Sequence, residues 1–172
     1  MQQILFFFWQ LCMLRVSPEK LPGNRFVLRL VILVYFVIAL ISVSVNRPDQ
    51  NLVGIVGTVA IGLVLQTTFI WLLLTFKMVP YRFTATLASL LGANTIMLLI
   101  LMPVNLILIN SEYESLRLLA DSVSWVCLGW WLAIAGSIYH KAINISILQG
   151  SAIAFIIELL VVIVTLSLFP IN

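Results

Sequence analysis

The sequence predicts an all-α fold, a polytopic membrane helical bundle of about five transmembrane helices preceded by an interfacial amphipathic helix. Of its 172 residues, 63% are hydrophobic and 9% are charged. An ordinary soluble domain has about 45–50% apolar and about 25% charged residues. The apolar residues also form long continuous stretches separated by short polar segments. Such a chain has too little polar surface to cover a globule in water, so lipid is its expected solvent.

The N-terminal segment, residues 1–22, is predicted to be an interfacial helix followed by a linker, and residues 23–172 a five-span bundle. Residues 4–16 are apolar but fall short of the roughly 20 residues that a spanning helix needs. They lack the basic start and the small-residue cleavage site of a signal peptide. Gln3, Gln10 and Ser17 recur every seven residues as a narrow polar edge, which favours a helix lying on the cytoplasmic surface.

Five apolar stretches are long enough to cross about 30 Å of hydrocarbon. They cover about residues 26–45, 53–76, 83–109, 123–139 and 145–168. A turn-rich Asn-Arg-Pro-Asp sequence ends the first stretch, Pro80 follows the second, and Pro170 ends the last. Residues 110–122 are predicted to form the longest outer loop, which is too short to be a domain of its own.

The basic residues predict the orientation. Seven of them fall on the N-terminal side of the spans and two on the opposite side. The seven are Arg15, Lys20, Arg25, Arg29, Lys77, Arg82 and Lys141, and the two are Arg47 and Arg117. Because cytoplasmic loops carry the excess of Lys and Arg, the N-terminus is expected in the cytoplasm. Five spans, an odd number, put the C-terminus on the opposite side. Short loops favour a cell inner membrane, and the C-terminus is therefore expected in the periplasm.

Small residues recur at four-residue spacing in several spans, which places them on one face of each helix. Close helix approach in lipid relies on such residues. The predicted helix-packing positions are Gly54, Thr58, Gly62, Gly92, Gly129, Ala133, Gly150 and Ala154. These faces are expected to pack within the chain, with a homodimer contact as the alternative.

Glu158 lies near the middle of the fifth predicted span. An ionised side chain there costs at least about 2.5 kcal/mol, which makes an intramembrane carboxyl a functional hypothesis by default. Counting inward from the span ends puts Tyr35, Gln66, Thr67, Asn94 and Thr95 at a similar depth. We therefore predict an intramembrane polar layer at the bilayer midplane.

Two interpretations of Glu158 stay open. In the first, a protonated Glu158 donates an interhelical hydrogen bond to Gln66 or Asn94 and fixes the helix register. In the second, Glu158 takes up and releases a proton during transport. The second interpretation calls for further ionisable groups within the spans to relay the proton, and the sequence has none there.

The sequence lacks the residue patterns of metal sites, common catalytic sites and nucleic-acid-binding surfaces. Cys12, Cys127 and the single histidine, His140, are far apart, so neither a metal site nor a cofactor is expected. No nucleophile elbow, phosphate loop or second intramembrane carboxyl occurs, so the chain is not expected to be an enzyme. The net charge of +3 comes without a basic run, which argues against nucleic-acid binding.

Two segments, five spans and a third span rich in small and polar residues resemble bacterial members of the Yip (Ypt-interacting protein) family. The segments are Leu14-Arg15-Val16-Ser17-Pro18-Glu19-Lys20-Leu21-Pro22 and Tyr81-Arg82-Phe83-Thr84-Ala85-Thr86-Leu87-Ala88-Ser89-Leu90-Leu91-Gly92-Ala93-Asn94. The resemblance implies action without catalysis, through binding of membrane partners and lipids. The chain lacks the long polar N-terminal region of the eukaryotic members, so no functional residue is carried over.

The leading hypothesis is a non-enzymatic inner-membrane protein that assembles with or organises a membrane protein partner, a second copy of the chain, or membrane lipid. The small-residue faces and the N-terminal helix motivate it. The alternative is a small proton-linked carrier or transporter that uses Glu158.

Overall fold

The protein is an all-α bundle of six helices in the part of the chain, residues 2–16 and 25–169, that the computed structural model describes. The helices are α1 (Gln2–Cys12), α2 (Arg25–Asn46), α3 (Leu52–Phe76), α4 (Phe83–Asn110), α5 (Glu114–Ile143) and α6 (Ile147–Leu168). A 3₁₀ turn, Pro80–Arg82, precedes α4. The helices α2 to α6 are long and apolar enough to cross a membrane. The predicted fold class is confirmed.

Local hydrogen bonds explain where the helices begin and end. Asn51 caps α3 by accepting a 2.7 Å hydrogen bond from the Gly54 N–H. Ser146 and Gln149 form a reciprocal capping box at the start of α6. Asn144 ends α5 in the left-handed conformation at φ 58°, a conformation that asparagine tolerates. The α5–α6 connection is therefore a tight hairpin.

The helix α4 lies at the centre, and α2 and α5 flank it. Residues 86–93 of α4 are all buried, so this stretch has helices around its whole circumference. The helix α6 packs on α5 through Gly136 and Gly150, where a Cβ added to Gly150 would lie 3.1 Å from the Gly136 Cα. The Ser151 hydroxyl crosses the same contact and donates to the Leu132 carbonyl at 2.9 Å. Backbone-to-backbone approach of this kind is how helices associate closely in lipid.

The N-terminal helix α1 packs against α4 and α5. The Phe8 ring lies over Gly92, and the Trp130 Nε1–H donates to the Cys12 carbonyl at 2.9 Å. Gly92 is nine residues beyond Phe83, so the contact lies about 14 Å along α4 from its start. The helix therefore rests against the side of the bundle, and its location at a membrane surface stays a prediction.

Two predicted boundaries need comment. Residues 17–24, which include most of the predicted linker, lie outside the described residues. The predicted outer loop at residues 110–122 is wrong, because α5 begins at Glu114. Glu114 stands in the first turn, where a carboxylate is favoured by the helix dipole. Hydropathy missed this start because the first turns of α5 are polar and exposed.

The predicted packing glycines fall into three environments. Gly62 faces Val161 across the α3–α6 contact at an ordinary 3.6 Å from an added Cβ. Gly54 instead lies under its own helix cap, where a Cβ would come within 2.9 Å of Asn51 Oδ1. Gly129 has no atom within 4 Å of an added Cβ, so packing within this chain is not its role. Helical spacing identified a shared face but not the side from which a neighbour approaches.

The other predicted packing residues are placed as follows. Gly150 and Ala154 are buried along α6, and Ala133 is half-buried on α5. The Thr58 hydroxyl donates to the Gly54 carbonyl at 2.8 Å, one turn back along its own helix. This hydroxyl is satisfied locally and needs no partner on another helix.

Candidate intramembrane binding site

A cavity of about 340 Å³ lies between α2, α4, α5 and α6 and contains the Glu158 side chain. This volume is at the lower end of the range of about 300–1,000 Å³ that is typical of small-molecule sites. Its polar lining residues are Tyr35, Asn94, Asn105, Ser124, Trp131 and Glu158. Its other lining residues are Met97, Leu98, Leu101, Cys127 and Leu128.

Helical periodicity explains how the cavity walls arise. On α4 the lining positions are 94, 97, 98, 101 and 105, and on α5 they are 124, 127, 128 and 131. Positions three, four, seven and eleven residues apart share one face of an α-helix. Each wall is therefore a continuous stripe with polar residues at both ends and apolar residues between them. Two such stripes facing each other form an amphipathic chamber.

Glu158 enters the cavity from the middle of α6 (Ile147–Leu168). Its side chain is half-buried, so part of the carboxyl surface borders open space. No hydrogen bond or ion pair reaches this carboxyl within residues 2–16 and 25–169. The cavity lining contains no Lys or Arg among these residues. An acid group thus stands in a membrane cavity, and the described part of the chain supplies no counter-ion for it.

The Asn94 amide is oriented by a contact across the cavity wall. The Trp131 Nε1–H of α5 donates to Asn94 Oδ1 of α4. Because this bond engages the oxygen, the amide nitrogen is the group that Asn94 offers to a ligand as a hydrogen-bond donor. The predicted hydrogen bond from Glu158 to Asn94 is absent, and the hydrogen bond at the Asn94 oxygen comes from the Trp131 indole instead.

The predicted polar layer is divided between two environments. Glu158 and Asn94 share the cavity. The Thr95 hydroxyl is buried and donates to the Leu91 carbonyl at 2.8 Å. Gln66 is buried and Thr67 half-buried on α3, and neither lines the cavity.

Gln66 is nevertheless level with Glu158. Gly62 contacts Val161 where α3 and α6 pack together, and these two helices run in opposite directions because they are the second and the fifth spans. One helical turn from Gly62 therefore brings Gln66 to the height of Glu158. The predicted hydrogen bond between Gln66 and Glu158 is absent from the described structure.

Sequence reasoning missed eight of the eleven lining residues, which are four Leu and Met side chains and also Asn105, Ser124, Cys127 and Trp131. A signal for them exists in the sequence. Asn94 and Asn105 are eleven residues apart, which is three helical turns, and Ser124 and Trp131 are seven apart. The spacing marks a polar stripe on each helix, but only the packing shows that both stripes face Glu158.

The groups that line the cavity can bind a small ligand. The cavity offers one carboxyl, amide and hydroxyl groups and an indole ring. Among the described residues, no group of three or more His, Cys, Asp and Glu side chains could hold a metal ion. His140 is engaged elsewhere, with its Nδ1 bonded to the Ile145 carbonyl at the α5–α6 hairpin. A carboxyl in such surroundings can hold a proton or a cation.

The fold defines a multi-pass membrane protein, and its site is an acidic cavity within the spans. No protein-family model, curated protein or solved structure matches the chain. The argument for function therefore depends on the site alone.

Proposed function

We propose that the chain is a non-enzymatic carrier of the inner membrane that binds a small organic cation at Glu158 in exchange for a proton. The observation that carries the proposal is the Glu158 carboxyl, which borders a membrane cavity without a counter-ion among the described residues that line it. The proposal selects the proton-linked interpretation of this residue.

Charge balance gives the physical reason for the exchange. A bare carboxylate inside a bilayer is costly, so the site is stable when a proton or another cation neutralises it. A bound organic cation that displaces the proton keeps the cavity neutral in both states. The two states then differ little in electrostatic cost, which is what a carrier needs if its site is to load and unload.

The other lining groups fit an amine-type ligand. Asn105 and Ser124 provide oxygen acceptors for N–H donors, and the Tyr35 hydroxyl adds another. The Trp131 indole borders the same space and can attract a cation through its ring face. Leu98 and Leu101 would contact the hydrocarbon part of the ligand.

The proposed orientation places the N-terminus in the cytoplasm and the C-terminus in the periplasm. Its support is the seven-to-two distribution of basic residues between the two ends of the spans. The five spans then put the termini on opposite sides. A reporter fused to each terminus tests this arrangement.

Carbodiimide labelling of the full chain in proteoliposomes tests the cation site. A hydrophobic carbodiimide reacts with protonated intramembrane carboxyls, so mass spectrometry should find modified Glu158 below the pH at which the group ionises. Triethylammonium, a small organic cation with one N–H donor, should slow this labelling by competing for the cavity. Glu158→Gln is the control that abolishes the modification, and Asp121→Asn removes an exposed outer carboxyl without affecting it. Labelling that triethylammonium leaves unchanged, or no labelling at any pH, would contradict the proposal.

A second function, assembly with a membrane partner or a second copy, is supported by one face of α5. Val126 is exposed, Gly129 is open and Ala133 is half-buried, and these positions share a face. The open Gly129 leaves room for another helix to approach closely. This function also accords with the partner and lipid binding that a Yip-like resemblance implies. Crosslinking of Gly129→Cys in native membranes tests it, with exposed Val64→Cys as the control, and equal yields would contradict it.

A further inference from the structure

The cavity around Glu158 has polar side chains at both of its ends. Glu158, Asn94 and Trp131 form the inner group, in the middle of the bundle. Asn105 and Ser124, both half-buried, form the outer group, which lies nearer to the end of α4 and the start of α5. Exchange of a proton for a cation at Glu158 needs only the inner group. The outer group is therefore available to bind another part of the ligand.

The contact between α5 and α6 gives the separation of the two groups on one side of the cavity. Gly136 and Gly150 are in contact, and these two helices are consecutive spans that run in opposite directions. Eight residues further along each helix, Glu158 is level with Leu128. Ser124 lies one helical turn beyond, about 6 Å along the axis. Because side chains tilt toward the N-terminus of their own helix, those of Glu158 and Ser124 diverge. The carboxyl and the hydroxyl are thus separated by more than one turn.

The helix α4 gives a larger separation on the other side. Trp131 is three residues from Leu128, so Asn94, which accepts its indole N–H, lies at about the level of Glu158. Asn105 is eleven residues further along α4, about 16 Å along the axis. Since hydrogen-bonded atoms are only about 3 Å apart, an ammonium bound at Glu158 cannot also contact Asn105. A ligand that uses both groups must be elongated.

The outer group has hydrogen-bonding capacity that the described part of the chain leaves unused. The Ser124 hydroxyl donates to the Ala120 carbonyl at 2.9 Å, so its oxygen remains an acceptor. The Asn105 side-chain amide makes no hydrogen bond with the described residues and offers an oxygen acceptor as well as N–H donors. Both residues can therefore accept a hydrogen bond from an O–H or N–H group of a ligand.

Charge and polarity then define the ligand between its two ends. Glu158 is the one carboxyl among the described residues that line the cavity, and it balances one positive charge. A second ammonium at the outer group would find no carboxylate among those residues, and an unbalanced charge in a membrane is costly. The far end of the ligand is therefore neutral. Leu98 and Leu101 lie between the two groups along α4, so the connecting part is hydrocarbon.

We propose that the ligand is a monoamine that carries a neutral hydroxyl or amide donor at the far end of a hydrocarbon chain. This assignment rests on the cation site of the proposed carrier. The ammonium binds Glu158, the hydrocarbon chain contacts Leu98 and Leu101, and the far donor binds Ser124 and Asn105. The outer group thus selects the ligand by its length and by its second polar end.

Protection of Glu158 from a hydrophobic carbodiimide tests the proposal in proteoliposomes that contain the full chain. The first pair of competitors is N,N-dimethylhexylamine and 6-(dimethylamino)-1-hexanol, which are tertiary amines and form no stable amide with an activated carboxyl. The hydroxylated amine should give half-protection at a concentration about threefold to tenfold lower, as expected for one hydrogen bond. Partitioning into lipid alone would give the opposite order, because a hydroxyl is costly to transfer into hydrocarbon.

A second pair of competitors tests the length of the ligand. N,N-dimethylethylamine and 2-(dimethylamino)ethanol carry the same end groups on a two-carbon chain, which is too short to join the inner and outer groups. The hydroxyl should therefore give no advantage in this pair. An equal advantage in both pairs would show that the hydroxyl binds beside Glu158, and would overturn the assignment to the outer group.

Variants of the outer group locate the binding of the hydroxyl. Ser124→Ala and Asn105→Leu should each reduce the advantage of 6-(dimethylamino)-1-hexanol toward one, while protection by N,N-dimethylhexylamine stays unchanged and shows that the inner group is intact. Ser122→Ala and Asn110→Leu are the matched controls. Ser122 and Asn110 are exposed on the same two helices, donate to their own helix backbone and do not line the cavity.

The outcomes separate this proposal from the carrier function on which it rests. If neither hexyl amine protects the native chain, the cation site at Glu158 is wrong, and the ligand assignment is overturned with it. If the two hexyl amines protect equally, the cation site is retained and the ligand assignment alone is overturned. The same conclusion follows if the hydroxyl advantage persists in full in both Ser124→Ala and Asn105→Leu.

Discussion

Trp131 on α5 donates its indole N–H to the side-chain oxygen of Asn94 on α4, at the wall of the Glu158 cavity. The bond links the central helix to its neighbour in the middle of the bundle. It also sets which end of the Asn94 amide faces a ligand. One side chain thus contributes to helix packing and to the binding site.

Trp131→Phe should lower the free energy of unfolding by about 0.6–1.7 kcal/mol, the range for an interhelical hydrogen bond in a membrane. The substitution keeps an aromatic ring but removes the donor, so the Asn94 oxygen loses its partner. Steric-trapping unfolding in bicelles measures the change. Trp125→Phe is the matched control, since Trp125 is exposed on the same helix. Equal effects of the two substitutions would show that the hydrogen bond contributes nothing.

The two native cysteines should differ in reactivity. Cys127 lines the Glu158 cavity, whereas Cys12, the last residue of α1, is 0% exposed. Burial also raises the pKa of the Cys12 thiol, outside the five spans, to about 11. Because the thiolate is the nucleophile that attacks thiol reagents, this pKa alone lowers Cys12 reactivity about a hundredfold below pH 9. A small methanethiosulfonate should therefore label Cys127 first.

The pH dependence of Cys12 labelling follows from the same pKa. The folded protein holds the thiol proton more tightly than the unfolded chain does, so this thiol favours folding fully below about pH 9. Its contribution is lost as the pH rises toward about 11, and Cys12 labelling should increase over that interval. Cys127→Ser isolates the Cys12 signal in mass spectra. Rapid Cys12 labelling at pH 8 would show that α1 leaves the bundle readily.

Gly136→Ala should destabilise the α5–α6 contact by about 1–3 kcal/mol, the usual cost of overpacking. An added Cβ would overlap the Ser151 hydroxyl and lie 2.7 Å from the Ile147 carbonyl oxygen. Gly129→Ala on the same helix is the control, because its Cβ meets open space. The control should leave the free energy of unfolding unchanged or raise it by up to about 1 kcal/mol, because alanine has a higher helix propensity than glycine. Resistance to unfolding in SDS orders the variants, and a reversed order would contradict the packing described.

The sequence was sufficient to predict the spans, because lipid exposure demands continuous apolar helices whatever the tertiary packing. Glu158 was also identifiable, since a lone acid in an apolar stretch is conspicuous at any rotation of its helix. The faces through which the helices pack could not be identified from the sequence. Gly129 and Gly136 are both small residues of α5, yet only Gly136 contacts another helix. Spacing fixes which residues share a face, whereas the rotation of each helix depends on all its neighbours.

Gly92→Ala should release α1 from the bundle. An added Cβ at Gly92 would overlap the Phe8 ring, and α4 cannot retreat because the residues around Gly92 are buried on every side. The strain is therefore relieved by movement of α1, which also carries the Cys12 carbonyl away from Trp130. We expect faster Cys12 labelling at pH 9 and little change in the stability of the spans.

Phe8→Ala provides the second arm of this test. Removing the Phe8 ring also weakens the packing of α1 on α4. In the double variant, however, the methyl group of Gly92→Ala no longer overlaps this ring. The double variant should therefore label less than the product of the two single effects predicts, as expected for residues in contact. Strictly multiplicative labelling rates would show that Phe8 and Gly92 do not touch in the membrane. In that case α1 would lie on the membrane surface, away from the side of α4.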